Sequence, residues 1–183
     1  FGSLPVRREG LFLSHYLAGL SFIVVPNVVV FLLTLLIEGV GGYVDARGLL
    51  FWLGVSCGEY FFFYSLAVFC GMFTGHILAL PVFYGIVNLF AYGIYGLLYV
   101  VMHVFYYGFA GFGGWTDMVV EALTPAICLG QEVGHYWYGE EHLLVLHGLE
   151  LVGGYALAAA VLAACSFFLY RARRLESAGD VVS

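Results

Sequence analysis

The sequence predicts an all-α polytopic membrane bundle of about four transmembrane helices with short interfacial or re-entrant helices, in one domain over residues 1–183. Three observations predict it. Residues 57–109 contain a single formally charged side chain, Glu59. A hydrocarbon core about 30 Å thick takes roughly 20 helical residues to cross, so this stretch holds two spans and a turn. Composition agrees: a chain that is 63% hydrophobic and 10% charged, with a mean hydropathy of +0.99, belongs with polytopic membrane proteins. Charge placement is the third observation. There is no Lys, and five of the six Arg fall into two terminal clusters, Arg7/Arg8 and Arg171/Arg173/Arg174.

Taken in order, residues 1–10 read as a polar loop leading into a helix that starts near Val6 with Pro5 in its first turn. Arg7, Arg8 and Glu9 are expected on a short helix along the membrane surface. Residues 11–37 carry no formal charge, and the first span is placed at about 16–38. Pro26 bends it, and the Asn27 amide is available to bond a neighbouring helix. A Gly-rich loop at 39–48 leads to a second span at about 53–74, with Trp52 near one interface and Glu59 roughly a turn and a half inside that end. An intramembrane carboxylate is costly and marks a functional candidate, although this depth also lets it reach water. The turn falls at Thr74-Gly75-His76. The third span, about 77–106, contains Asn88 and His103, with Gly85, Gly93 and Gly96 permitting close helix approach.

Residues 107–148 break the pattern with Gly, aromatics, five carboxylates and three His. The stretches `DMVVEALTPAICLG` and `EEHLLVLHGLE` predict two short interfacial or re-entrant helices, with Trp115 and Trp137 at headgroup depth. The last span, about 149–170, ends in `RARRLESAGDVVS`. Basic segments at both ends require an even number of crossings if both are cytoplasmic, and four spans satisfy this. The segments 39–48 and 107–148 then face outside, and the chain is a multi-pass protein of the cytoplasmic membrane.

Chemistry is sparse. His135, Glu140, Glu141, His142 and His147 are the one group with metal-ligand character, but His142 and His147 are five apart, whereas the helical zinc motif sets its His four apart. A wet interfacial loop is the alternative reading, and no metal or cofactor is expected. No nucleophile motif, phosphate loop or dinucleotide fingerprint is present, so catalysis is not expected of this chain. Cys57, Cys70, Cys128 and Cys165 show no CxxC spacing and read as structural thiols. The net charge of −6 comes from scattered carboxylates and names no partner. Asn27, Glu59, Asn88 and His103 are the intramembrane polar candidates.

Two stretches resemble a known family. `SLPVRREGLFLSHYLAGL` at 3–20 is similar to the segment entering the third span of bacterial type-2 ABC exporter permeases, and `YRARRLESAGDVVS` at 170–183 to the Arg-rich continuation in a Firmicutes-like branch. The middle, `FFFYSLAVFCGMFTGHILALPVFYGIVN`, resembles that branch as well. The resemblance implies a permease subunit driven by a separate ABC ATPase, with a second permease copy or homologous half and no nucleic acid. It places Pro5, Arg7, Arg8 and Glu9 in the ATPase-facing coupling segment and 107–148 in an external re-entrant element. With the first two spans of the family absent, the chain is expected to be an internal fragment. An integral membrane enzyme using the external His/Glu group, or a non-transporting scaffold or sensor, are the competing readings.

Overall fold

The computed structural model describes residues 8–42, 44–74, 76–138 and 143–172, and at Arg8, Gln131, Glu132 and the two strands the backbone alone. Four long helices dominate: α1 (Arg8–Gly41), α2 (Ala46–Phe73), α3 (Ala79–Phe105) and, last in the chain, α6 (Leu149–Ala172). Between α3 and α6 lie α4 (Gly114–Ala122), α5 (Pro125–Glu132) and an antiparallel pair, β1 (Gly134–Tyr138) and β2 (Leu143–His147). All four long helices are long and apolar enough to cross a membrane, and the protein is a multi-pass membrane protein with a helical bundle fold. Their apolar side chains stay largely outward, as lipid rather than water is their solvent.

The first two spans start ahead of their sequence boundaries, while α3 falls within the expected 77–106. The 34 residues of α1 extend about 51 Å, well beyond a core about 30 Å thick, and α2 starts seven residues before the expected 53. Asp45 explains that early start: it is the N-cap of α2, its carboxylate accepts from Gly48 N at 3.1 Å, and its own N–H bonds Glu38 Oε2 at 3.1 Å. The α2–α3 turn is where the sequence placed it. Thr74 ends α2 in extended conformation with its N–H on Cys70 O, and His76 Nδ1 accepts from Leu78 N at 3.3 Å just ahead of α3. At the far end of α3, the cap residue Tyr106 turns to extended conformation with its N–H on Met102 O, and Gly108 takes φ 87° in the turn that follows.

The segment 107–148 differs from expectation in one respect. `DMVVEALTPAICLG` forms most of α4 and α5, broken where Thr124 precedes Pro125 at the first position of α5. `EEHLLVLHGLE` does not form the second short helix. Its described residues give strand β2 and the start of α6, joined through Gly148 at φ 87°. A five-residue apolar run has no period long enough to separate helix from strand, and the paired `GHYWY` of β1, rich in strand-favouring aromatics, decides it.

Helix α2 is the hub, packing on α1, α3 and most extensively α6. Phe62, Leu66 and Cys70 of α2, Val152 and Ala159 of α6 and Leu129 of α5 make one buried cluster, with Leu80, Phe83 and Tyr84 of α3 against it. Helix α5 therefore enters the bundle instead of resting on its surface, and Tyr155 of α6 donates to Ala122 O at the end of α4 at 2.8 Å. Helices α2 and α6 approach closely at Gly58, where a Cβ would overlap Val152 Cγ1. Helices α1 and α2 are held by hydroxyls. Ser65 Oγ donates to Phe61 O at 2.7 Å, so the buried Tyr16 hydroxyl donates to Ser65 Oγ at 2.6 Å, and Tyr64 donates to Tyr16 O at 3.2 Å.

Candidate functional site

At one end of the bundle the two chain ends described here meet. Glu9, in the first turn of α1, lies 3.6 Å from Arg171 in the last turn of α6, both side chains open to solvent. Both charges suit their helix ends, acid at an N-terminus and base at a C-terminus. Immediately inside, Phe12 packs against Phe167 at 5.8 Å and Tyr170 at 5.3 Å, and against Tyr16, which reaches α2. Of the expected coupling residues, Pro5 and Arg7 lie outside the described residues. Arg8 and Glu9 belong to α1 itself, so at these two positions the separate surface helix is replaced by a continuation of the first span. Gly10, a poor helix former between Glu9 and Leu11, does not interrupt α1, which runs on into the span.

The four intramembrane polar residues sit on three helices, and no hydrogen bond joins any two of them. Asn27 does not reach a neighbouring helix: its Nδ2 donates to Ile23 O at 3.2 Å in its own helix. That bond lies beside the carbonyl that Pro26 leaves without a donor, so the amide is satisfied within its own helix. Asn88 is buried, 5% exposed, with Nδ2 donating to Tyr84 O at 3.3 Å and Oδ1 without a partner among the described residues. His103 is exposed in the last turn of α3, stacked on Tyr99 at 6.1 Å and 5°.

Glu59 lies deeper in its helix than the sequence placed it. Thirteen residues precede it in α2 and fourteen follow, roughly 20 Å to either end. Its neighbour Gly58 meets Val152, so Glu59 is level with the first turn of α6. Helical spacing puts it on the face that carries Val55, Phe62 and Leu66, which pack toward α5 and α6. It is half-buried and makes no hydrogen bond or ion pair with a described residue.

Comparison with known proteins settles no identity. No protein family matches the chain, and neither curated proteins nor solved structures give a significant match.

Two concavities among the described residues are apolar. A cleft of about 280 Å³ between α1 and α2 is lined by Leu20, Ile23, Val24, Cys57, Tyr60 and Phe61, and an open groove follows Gly85, Leu89 and Gly93 on α3. Among the described residues no three His, Cys, Asp or Glu come together around a metal position. Of the outer His/Glu group, Glu140, Glu141 and His142 lie outside the described residues. His135 pairs with Leu146 and His147 with Gly134, successive register positions that alternate between the two faces of a ribbon.

Between α3 and α4, Tyr95 donates to Asp117, and Tyr95, Tyr99, Phe109 and Phe112 pack as an aromatic wall. Sequence reasoning passed over Tyr95 and Tyr16. Both are ordinary aromatics within apolar runs, and only the approach of another helix makes them polar contacts.

Proposed function

We propose that this chain is the membrane-spanning part of an ATP-driven ABC exporter, lying in the cytoplasmic membrane with its Arg-rich ends inside and receiving energy from a separate ATPase subunit. The observation that carries the reading is the meeting of the two ends at Glu9 and Arg171. It gathers Arg8, Glu9 and Arg171 at the end of the bundle remote from the α4–α5 and β-hairpin elements. An ATPase docked there has charged groups to hold, and charge-assisted hydrogen bonds are the strong ones at such surfaces. A displacement at that end has a rigid route inward, from Phe12 and Tyr16 to Ser65 of α2. In this reading a second copy or a homologous half completes the pathway, and the outer elements cover its exit.

The test is Arg7→Gln with Arg8→Gln in the full-length protein. Membrane level and orientation should hold, because the 171–174 cluster remains, while co-purification of the ATPase and substrate-stimulated ATP hydrolysis fall at least severalfold. Unchanged co-purification and hydrolysis in a correctly inserted variant would leave these residues as orientation signals and remove the coupling role.

A further inference from the structure

Helices α1 and α2 are fastened at two levels and part between them. At one level Tyr64 closes on Gly19, where a Cβ would overlap its ring, and Tyr16 bonds Ser65. At the other, Asp45 N donates to Glu38 Oε2 across the short connection between the helices. Between these fastenings lies the cleft of about 280 Å³, roughly twice the volume of an apolar cavity that takes up benzene. Its walls are Leu20, Ile23 and Val24 on α1 and Cys57, Tyr60 and Phe61 on α2. Tyr60, 47% exposed, marks the side on which it opens out of the bundle.

Depth and width select what fits there. Leu20 stands eleven residues from Glu9 and Val24 fourteen from Glu38, about 17 and 21 Å along α1. The cleft therefore lies near the middle of a hydrocarbon core about 30 Å thick. An apolar space of this kind stays dry, since it offers water no hydrogen-bonding partners. A helix about 10 Å across does not enter a gap fastened at both ends. A single hydrocarbon chain does, and at this depth such chains are the solvent.

We propose that the cleft seats the end of one acyl chain of a membrane lipid, which completes the packing of α1 on α2. The site takes the chain and makes no contact with the headgroup, which lies more than a turn away at the interface. It is a property of the bundle and stands whether or not the chain belongs to a transporter.

The test uses the full-length protein in nanodiscs containing phosphatidylcholine with a diazirine near the end of one acyl chain, with adducts mapped by mass spectrometry. Leu157 of α6, 70% exposed and within two turns of the same depth, reports ordinary contact with surrounding lipid. Adducts at 20–24 and 57–61 should exceed those around Leu157 at least fivefold, and should persist when phosphatidylglycerol carries the same chain. Val24→Trp fills the cleft and should cut labelling at 57–61 at least fivefold while leaving Leu157 unchanged; Ile23→Phe serves in its place if that variant does not insert. Labelling no stronger than at Leu157, or undiminished in a correctly inserted filled variant, would overturn the site. Cross-linking of two copies through Cys57 in place of lipid adducts would put a second chain there and overturn it as well.

Discussion

Adding one methyl group at Gly58 should distinguish close helix packing from mere helix propensity. Alanine in a helix interior is ordinarily favoured over glycine by roughly 0.5–1 kcal/mol. At Gly54, one turn earlier in α2, a Cβ meets nothing within 4 Å, so Gly54→Ala should show that gain. At Gly58 the same methyl would overlap Val152 Cγ1. Val152 has little room to yield: it is 5% exposed, and a β-branched side chain in a helix keeps essentially one χ1 rotamer. Overpacking of this kind costs about 1–3 kcal/mol, which more than offsets the propensity term. The two alanine variants should therefore differ by about 1–3 kcal/mol, Gly58→Ala being the weaker, as read by dodecyl sulfate titration of the protein in mixed micelles. Removing the obstacle supplies the internal control. In a Val152→Ala background Gly58→Ala should become neutral or stabilising, because the space the valine methyl held is free. Equal stabilisation by Gly54→Ala and Gly58→Ala would mean that α2 and α6 do not approach at this point, and the depth assigned to Glu59 would fall with it.

Two further outcomes follow from the polar contacts inside the bundle. In a double-mutant cycle of Tyr16→Phe and Ser65→Ala, the coupling should be about 0.6–1.7 kcal/mol, the range for interhelical hydrogen bonds in membranes, and a coupling near zero would remove the hydroxyl link between α1 and α2. Asn88→Leu should leave stability unchanged or raise it by up to about 1 kcal/mol, since Oδ1 is buried without a partner and the leucine fills a similar volume. A loss above about 2 kcal/mol would mean that the amide is satisfied by a contact beyond those described.

Hydropathy and charge by themselves determined that this is a four-span helical membrane protein, where the α2–α3 turn falls, and that 107–148 is something other than a span. Those properties are local: a run of apolar residues must cross or be buried, and its length says how many times. Asn27 shows how far local reasoning reaches. A polar side chain beside Pro26 was legible, but its bond to Ile23 in its own helix rather than to a neighbour depends on side-chain placement. The strand at Leu143–His147 was illegible because a short apolar run becomes a strand only when a partner such as Gly134–Tyr138 lies beside it. The meeting of Glu9 with Arg171, the central place of α2 and the position of Glu59 level with the start of α6 are likewise decisions of the tertiary structure. Each joins residues far apart in the chain, and the relative depth of two helices is set by which small residue, here Gly58, lets the other approach.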